Sequence, residues 1–295
     1  MARELSPRQP LPFDAFTPET CRVIQKVRAK TNRPFVSIIV PVLNESALIR
    51  GFLQHLRVTA PSGEIIVVDG GSVDDTVELS ADLADRVLLA PRGRGRQMNA
   101  GAAVARAEVL WFVHADAIIP KTALDEIARV LRDNSNVGGC FRLRLPGSEW
   151  IYRVSDLLGN IAVHVFGFAL GDHGIFCRRE AFVEAGCFPE IALMEDAECY
   201  RALRRLGLMV QLRSVIVGSP RRYEQLGAYH TTLYYTFILG LYLAGARIST
   251  LSSVYRRLIG SNYASGPRTY SASLAGFDSA EAFSRSTTAP VGARQ

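Results

Sequence analysis

Buried strands that alternate with helices are the feature of this sequence that most constrains its fold. Between residues 35 and 131, four apolar runs rich in β-branched residues are each followed by a stretch whose apolar residues have helical spacing. Continuous apolar runs of this kind are typical of strands covered on both faces. Strict β–α alternation predicts right-handed crossovers and a mostly parallel α/β sheet with helices on both faces. The four runs are FVSIIVPV, EIIVVD, RVLLA and VLWFV.

The pattern is looser after Val137 and before Phe35. We expect further strands at CFRLRL, GIFCRR and LMVQLRSVIV, and helices over 150–158 and 195–206. Thr17-Pro18-Glu19 offers an N-cap, a proline at the first helical position and an acid, so it predicts a short N-terminal helix. The predicted parts are an N-terminal extension (1–33), an α/β domain (34–220), an apolar helical segment (221–260) and a disordered tail (261–295).

Charge and cysteine content narrow the possible partners. The 34 Lys and Arg residues against 28 Asp and Glu residues give a net charge of +6. This excess suits a phosphate-bearing ligand or an anionic membrane surface, but it is too diffuse to favour nucleic acid. Five cysteines without a CxxC pair exclude a zinc ribbon and a fully paired disulfide framework. Because the first residues contain no apolar core of a signal peptide, we expect a cytoplasmic location.

Polar or glycine-rich residues follow each of the four predicted strands. The carboxyl ends of parallel strands meet at one edge of a sheet, where α/β proteins bind their ligands. Four such strand ends in series predict a nucleotide site at this edge. The four segments are Asn44-Glu45, Asp69-Gly70-Gly71-Ser72, the stretch 92–99 and His114-Ala115-Asp116.

Two common phosphate-binding motifs are excluded. Gly93-Arg94-Gly95 follows a strand and begins a helix, as in a dinucleotide-binding fingerprint, but Met98 stands at the third glycine position. The sequence contains no GxxxxGK[ST] segment, which excludes a P-loop. Neither a Rossmann dehydrogenase nor a P-loop NTPase fits the pattern.

The remaining motifs resemble glycosyltransferase family 2, whose enzymes have the GT-A fold. The resemblance covers about residues 36–207. The chain is also similar to a bacterial subgroup with HAD in place of DxD and a GDxGIF segment, here residues 171–176. That subgroup is associated with arsenosugar and radical-SAM gene neighbourhoods. The segments that carry the resemblance are SIIVPVLNES, EIIVVDGGSVDDT, GRGRQMNAGA, LWFVHADA and MEDAECYRALRRLG.

The resemblance implies an inverting, metal-assisted transferase that uses a nucleoside diphosphate sugar, with a UDP-sugar favoured. Asp196 would be the general base beside Glu195, and Asp116 would bind Mn²⁺ or Mg²⁺. His114 replaces the first Asp of DxD, and it is either a second metal ligand or a structural residue. Asp172 and His173 would face the acceptor, a small molecule or a lipid-linked one. The donor-binding residues would be Pro41, Asn44, Glu45, Asp69, Arg92, Arg94, Arg96, Gln97 and Asn99.

Several of these residues also have a purely structural interpretation. Asp69 suits a helix-capping turn, and Asp196 suits the first turn of a helix, where acids oppose the helix dipole. The stretch Arg221-Arg222-Tyr223 either closes over the diphosphate or begins the next helix. A nucleotidyltransferase of related fold and an inactive nucleotide-sugar-binding protein are the competing functions.

The segment 227–246 contains twenty residues without Asp, Glu, Lys or Arg. Its length meets the threshold of about 20 residues for a membrane span, but threonine, tyrosine and glycine dilute its apolar content. We expect first a helix packed on the domain or on a dimer partner. A helix lying on the membrane surface is the second expectation and a span the last.

Overall fold

The computed structural model of the protein describes residues 22–26 and 33–259. The predicted helix start at Thr17 and the predicted tail at 261–295 lie outside these residues. One sheet organises the described part of the chain. Its strands are β1 (Arg22–Lys26), β2 (Val36–Val42), β3 (Glu64–Asp69), β4 (Arg86–Leu89), β5 (Val109–Phe112), β6 (Asn136–Arg144), β7 (Phe176–Arg178) and β8 (Leu208–Val217).

The strand order is β1-β4-β3-β2-β5-β7-β6-β8. Strands β4, β3, β2 and β5 pair in parallel, β7 is antiparallel to both β5 and β6, and β8 is parallel to β6. Six of the eight strands therefore run in one direction, and their carboxyl ends share one edge. This is the mostly parallel α/β sheet that the sequence predicts.

The continuous apolar runs arise because both faces of the sheet are covered. Along β2, Ile38 and Val40 pack into one core cluster, whereas Ile39 between them packs into a second cluster on the opposite face. Alternate side chains of a strand point to opposite faces, so a strand buried on both sides needs apolar residues at every position.

Helices cover both faces as predicted. Three of them, α1, α2 and α4, lie over the face of Ile38, and α3, α6 and α7 lie over the face of Ile39. The helices are α1 (Ile49–Thr59), α2 (Thr76–Ala81), α3 (Arg94–Val104), α4 (Ala123–Val130), α5 (Trp150–Ile161), α6 (Arg179–Glu184), α7 (Glu195–Leu206), α8 (Arg221–Leu226), α9 (Ala228–Leu243) and α10 (Ile248–Ile259).

Residues 22–26 form a strand where the sequence predicts a short helix. This strand, β1, pairs antiparallel with β4 at the edge of the sheet. An edge strand presents unpaired main-chain N–H and C=O groups, and β1 satisfies those of β4. The few apolar residues of this segment fit both a helical and a strand periodicity. Pairing with the edge of the sheet therefore determines that the segment forms a strand.

The C-terminal segment is helical, as predicted. Helix α9 packs on α5, and α10 packs on α9. Together with a π-helical turn (Ala162–Phe166) that continues α5, they enclose buried residues such as Phe168, Ile238 and Tyr242. Within the described ranges, no helix combines the length and the apolar content that crossing a membrane requires.

Candidate active site

Asp69 organises the loop that follows β3. Its Oδ2 accepts hydrogen bonds from the main-chain N–H groups of Gly71 and Ser72, each at 2.8 Å, and its Oδ1 accepts one from the Ser72 hydroxyl. The carboxylate is buried and holds a tight turn in which Gly71 has a φ of +91°. Asp69 therefore stabilises a turn, as its structural interpretation predicts, and its contact with the donor stays a prediction.

The loop after β2 is tied to this turn through Asn44. The main-chain N–H of Asn44 donates to the Ser72 hydroxyl at 2.8 Å, and the N–H of Val73 donates to Asn44 Oδ1 at 2.9 Å. Asn44 has a φ of +53°, a left-handed conformation that asparagine tolerates better than most residues. Pro41 is buried within β2, short of the loop. The first two strand ends thus form one hydrogen-bonded unit.

Three exposed arginines lie between the end of β4 and the first turn of α3. Arg94 Nε lies 2.7 Å from Glu195 Oε1, and Arg96 lies 2.9 Å from Glu190. Arg92 is exposed at the start of the loop. The sequence treats the three arginines alike, whereas the structure joins only Arg94 to the predicted catalytic pair.

Gln97 and Asn99 are buried, although the sequence predicts that they contact the donor. The Gln97 amide donates to the main-chain oxygens of Val42 and Val68, at the ends of β2 and β3. The Asn99 side chain donates to the main-chain oxygen of Phe188 and accepts from its N–H. Both amides are occupied by main chain, so their role in the structure is to position the loops around the site.

His114 and Asp116 follow β5. Asp116 forms an ion pair with Arg221, whose guanidinium also lies 2.9 Å from Glu45. Burial raises the pKa of Asp116, but the charge of Arg221, the neighbouring His114 and the hydrogen bond from Arg221 together outweigh burial and hold the pKa below its ordinary value. Arg221 follows β8, whose carboxyl end lies at the same edge of the sheet, and this explains how the contact forms. Residues 221–223 therefore begin a helix, which is one of their two predicted roles. In addition, the side chain of Arg221 extends into the candidate site.

The predicted pair Glu195-Asp196 begins α7 and is buried. One oxygen of each carboxylate, Glu195 Oε2 and Asp196 Oδ1, has no hydrogen-bond partner among the described residues. Burial and then the charge of Glu195 raise the pKa of Asp196 to about 6, with Arg94 acting in the opposite direction. Acids that merely oppose a helix dipole are normally solvated, so this burial favours a chemical role.

A glycine brings the base candidate and His114 together. A Cβ atom on Gly171 would lie 2.5 Å from His114 Nε2 and 2.6 Å from Asp196 Oδ2. The imidazole and the carboxylate therefore approach the same point above Gly171. Only a residue without a side chain leaves that space open.

Asp172 and His173 follow Gly171 in a 3₁₀ turn (Gly171–His173) that points them in opposite directions. Asp172 is exposed, and its Oδ1 lies 3.9 Å from His114 Nε2. His173 is buried, with Nδ1 3.1 Å from the main-chain oxygen of Phe141, and burial lowers its pKa. The prediction that His173 faces the acceptor is therefore corrected, because its ring is enclosed in the core.

The side chains around Asp116 suit a divalent cation only when a bound diphosphate supplies further metal ligands. Among residues 22–26 and 33–259, no group of three or more His, Cys, Asp or Glu side chains could hold a metal ion. One carboxylate and one imidazole, from Asp116 and His114, can contribute to a Mn²⁺ site whose other ligands are phosphate and water oxygens. The residues fit a metal that arrives with a diphosphate.

The chain is 26% identical over 165 residues to an undecaprenyl-phosphate 4-deoxy-4-formamido-L-arabinose transferase of Pseudomonas savastanoi pv. phaseolicola, a match covering 51% of this chain and 49% of the relative. The chain thus spans about half the length of that curated relative.

Solved structures share the fold. A mannosyltransferase from Pyrobaculum calidifontis, in complex with GDP-Man and Mn²⁺, has a TM-score of 0.52 and 19% identity over 78% of this chain and 69% of its own. Glucosyl-3-phosphoglycerate synthase from Mycobacterium tuberculosis, in complex with Mn²⁺, UDP and glucosyl-3-phosphoglycerate, has a TM-score of 0.51 and 21% identity over 74% and 82%. The GT-A fold expected from the sequence is confirmed.

The family described as glycosyl transferase family 2 matches residues 37–181, which run from β2 into α6 and include the loops of Asn44, Asp69, Arg94 and Asp116. Over these residues, which are just under half of its length, the chain is similar to glycosyl transferase family 2.

Proposed function

We propose that this protein transfers a sugar from a nucleoside diphosphate sugar to the hydroxyl group of an acceptor, with inversion at the anomeric carbon. The observation that carries the proposal is the environment of Asp196. Its carboxylate is buried beside His114 at the ligand edge of the sheet, and its pKa is raised to about 6. Such a group is ionised at neutral pH and is a stronger base than an ordinary aspartate.

The transfer is a single displacement. The acceptor oxygen attacks the anomeric carbon from the side opposite the diphosphate, and its proton passes to Asp196. The bond between the anomeric carbon and the diphosphate oxygen breaks, and its electron pair leaves with the nucleoside diphosphate. One displacement of this kind inverts the anomeric configuration.

The donor would lie across the four strand ends. Asp69 and the loop of Pro41, Asn44 and Glu45 would hold the nucleoside, with UDP favoured. Arg92, Arg94 and Arg96 would contact the diphosphate, because arginine forms charge-assisted and often bidentate bonds with phosphate oxygens. Gln97 and Asn99 would support this loop from below through their main-chain contacts.

Asp116, with His114 beside it, would hold Mn²⁺ or Mg²⁺ in the presence of the diphosphate. A bound divalent cation offsets the negative charge that develops on the departing diphosphate. The imidazole of His114 favours Mn²⁺ over Mg²⁺, which prefers oxygen ligands.

The carboxylates of the site favour a neutral acceptor group over a negatively charged one. The relative from Pseudomonas savastanoi is named for an undecaprenyl-phosphate acceptor. A phosphate nucleophile is already ionised and needs no general base, and the carboxylates of Glu195, Asp196 and Asp172 would repel it. A hydroxyl acceptor, on a small molecule or on a lipid, suits these residues better. The HAD and GDxGIF motifs support a place in the bacterial subgroup described above.

The test is a product assay after a donor screen. Thermal unfolding with a panel of nucleotide sugars, with Mn²⁺ or with EDTA, should identify the donor, since a ligand at a hundredfold excess over its Kd stabilises by about 2.7 kcal/mol. The stabilising donor is then incubated with hydroxyl compounds, and the released product is identified. Nucleoside diphosphate supports the proposal, and tight binding without turnover of donor or acceptor indicates an inactive binding protein. In a parallel assay with nucleoside triphosphates and sugar 1-phosphates, released pyrophosphate indicates a nucleotidyltransferase.

A further inference from the structure

Exposed apolar side chains concentrate on two neighbouring helices. Of the fifteen large apolar residues exposed in the described part of the chain, nine belong to α5, its π-helical turn and α9. We call this surface the α5–α9 face. It consists of Trp150, Leu157, Ile161, Val165, Phe166, Tyr229, Leu233, Phe237 and Leu243.

The two helices form one continuous surface. The rings of Trp150 and Tyr229, at the starts of α5 and α9, are 5.8 Å apart. At the far ends, the rings of Phe168 and Tyr242 are 5.5 Å apart, so the helices lie side by side in the same direction. The exposed residues recur at helical spacing and point away from the core clusters that bury the opposite sides of both helices.

The composition of this face favours a lipid surface over water. Trp150 and Tyr229 are the residue types that concentrate at membrane–water interfaces. Residues 228–259 contain three arginines (Arg247, Arg256 and Arg257) and no Asp or Glu. The side chains of these arginines are exposed. On α5, the charge of Asp156 is countered by Arg153. An apolar face on a basic helical unit complements anionic headgroups.

We propose that the α5–α9 face docks this protein on the surface of an anionic lipid bilayer. The π-helical turn leads directly to Gly171 and Asp172, and Tyr223, just before α9, lies 2.6 Å from Ser155 of α5. The helices that carry the face therefore also support the acceptor side of the candidate site. Docking is a property of the surface and does not depend on the proposed transferase activity.

Tryptophan fluorescence tests the proposal on the unaltered protein. The chain has two tryptophans, of which Trp111 is fully buried and Trp150 is 62% exposed. The probe is a vesicle of phosphatidylcholine and phosphatidylglycerol with bromine on the acyl chains, which quenches only nearby rings. We expect a blue shift and quenching of Trp150 emission, absent in Trp150→Phe, where Trp111 remains. Unchanged emission with anionic vesicles overturns the proposal.

Flotation with the same lipids, without bromine, supplies an independent measurement. Leu233→Asp with Phe237→Asp should reduce the vesicle-bound fraction about tenfold or more, because two side chains that enter the lipid become charged. The matched control, Val58→Asp with Leu208→Asp, changes equally exposed residues elsewhere and should float like wild type. Salt of about 0.5 M should weaken binding by screening the arginines.

Two results contradict docking on lipid. Equal flotation of the α5–α9 variant and of wild type would show that this face does not enter the bilayer. A wild-type dimer in light scattering that the α5–α9 substitutions dissociate, without flotation of either protein, would assign the face to a second copy of the chain. A product assay of the same variants in solution reports separately on the transferase proposal.

Discussion

The guanidinium of Arg221 forms an ion pair with the carboxylate of Asp116, the residue predicted to bind a metal ion. The same guanidinium contacts Glu45, which belongs to the predicted nucleoside loop. A helix that follows the last strand therefore reaches both halves of the expected donor site. A divalent cation that binds Asp116 must compete with Arg221 for this carboxylate.

Arg221→Ala should increase the affinity for Mn²⁺ in the presence of saturating nucleoside diphosphate, because Asp116 is released from its ion pair. The free energy of unfolding should fall by about 1–3 kcal/mol, since two partly buried carboxylates lose their partner. Isothermal titration with Mn²⁺ and chemical unfolding measure the two effects. Arg57→Ala is the control, because Arg57 pairs with the buried Asp85 in another part of the domain. An unchanged affinity for Mn²⁺ in Arg221→Ala would contradict a metal site at Asp116.

Asp196→Asn should reduce transfer by roughly 10²–10⁴, the usual contribution of a positioned acid or base. Asparagine keeps the size of the side chain but cannot take the acceptor proton. Donor affinity should change only a few fold, because other strand ends form that site. Single-turnover experiments at saturating donor measure the chemical step alone. In wild type the rate should rise with pH as this carboxylate, whose pKa is about 6 without donor, ionises, and it should then level off. An unchanged transfer rate in Asp196→Asn would leave the residue with a structural role only.

The raised pKa of Asp196 also affects stability. An unfolded aspartate has a pKa of about 3.9, so between about pH 4 and pH 6 the folded protein holds a proton that the unfolded chain has lost. This group therefore lowers the free energy of unfolding as the pH rises through that window. We expect Asp196→Asn to be more stable than wild type at pH 7.5 and nearly equal to it at pH 4. Urea unfolding of both proteins at the two pH values gives the comparison, and a pH-independent difference would contradict it.

Gly171→Ala should impair transfer, because the new Cβ would enter the space between His114 Nε2 and Asp196 Oδ2. The displaced atoms are side-chain ends, so the protein should still fold. Gly51→Ala is the matched control, since a Cβ there meets nothing within 4 Å and Gly51 lies inside α1. That substitution should stabilise the protein by about 0.5–1 kcal/mol and leave turnover unchanged. Full activity in Gly171→Ala would show that this space does not hold reacting groups.

The central strands could be predicted from the sequence because their environment leaves a local signal. Strands β2, β3 and β5 are covered on both faces, so nearly every position must be apolar. Strand β1 carries no such signal: the sequence predicts a helix there, and the strand forms because the edge of β4 is available for pairing. Pairing at an edge depends on a partner distant in sequence, which periodicity cannot show.

The sequence predicts which loops form the candidate site, but it does not predict the direction in which each side chain points. Asp69, Asp116 and Asp196 all lie at the expected edge. In the Gly171–His173 turn, however, adjacent residues point in opposite directions, and the sequence does not show that His173 is the one that enters the core. The sequence allows two roles for Arg221, because its partners lie 105 and 176 positions away.

The ion pair between Arg94 and Glu195 has a consequence for the order in which the two substrates bind. Arg94 lies in the predicted diphosphate loop, and its charge lowers the pKa of Asp196 while that of Glu195 raises it. A diphosphate in that loop would draw the guanidinium of Arg94 away from Glu195. The negative charge of Glu195 would then raise the pKa of Asp196 without the opposing effect of Arg94. Asp196 would then become a stronger base once the donor has arrived. The loading of the donor would thereby prime the enzyme for the acceptor, and a sequential mechanism with the donor first would follow from one shared arginine.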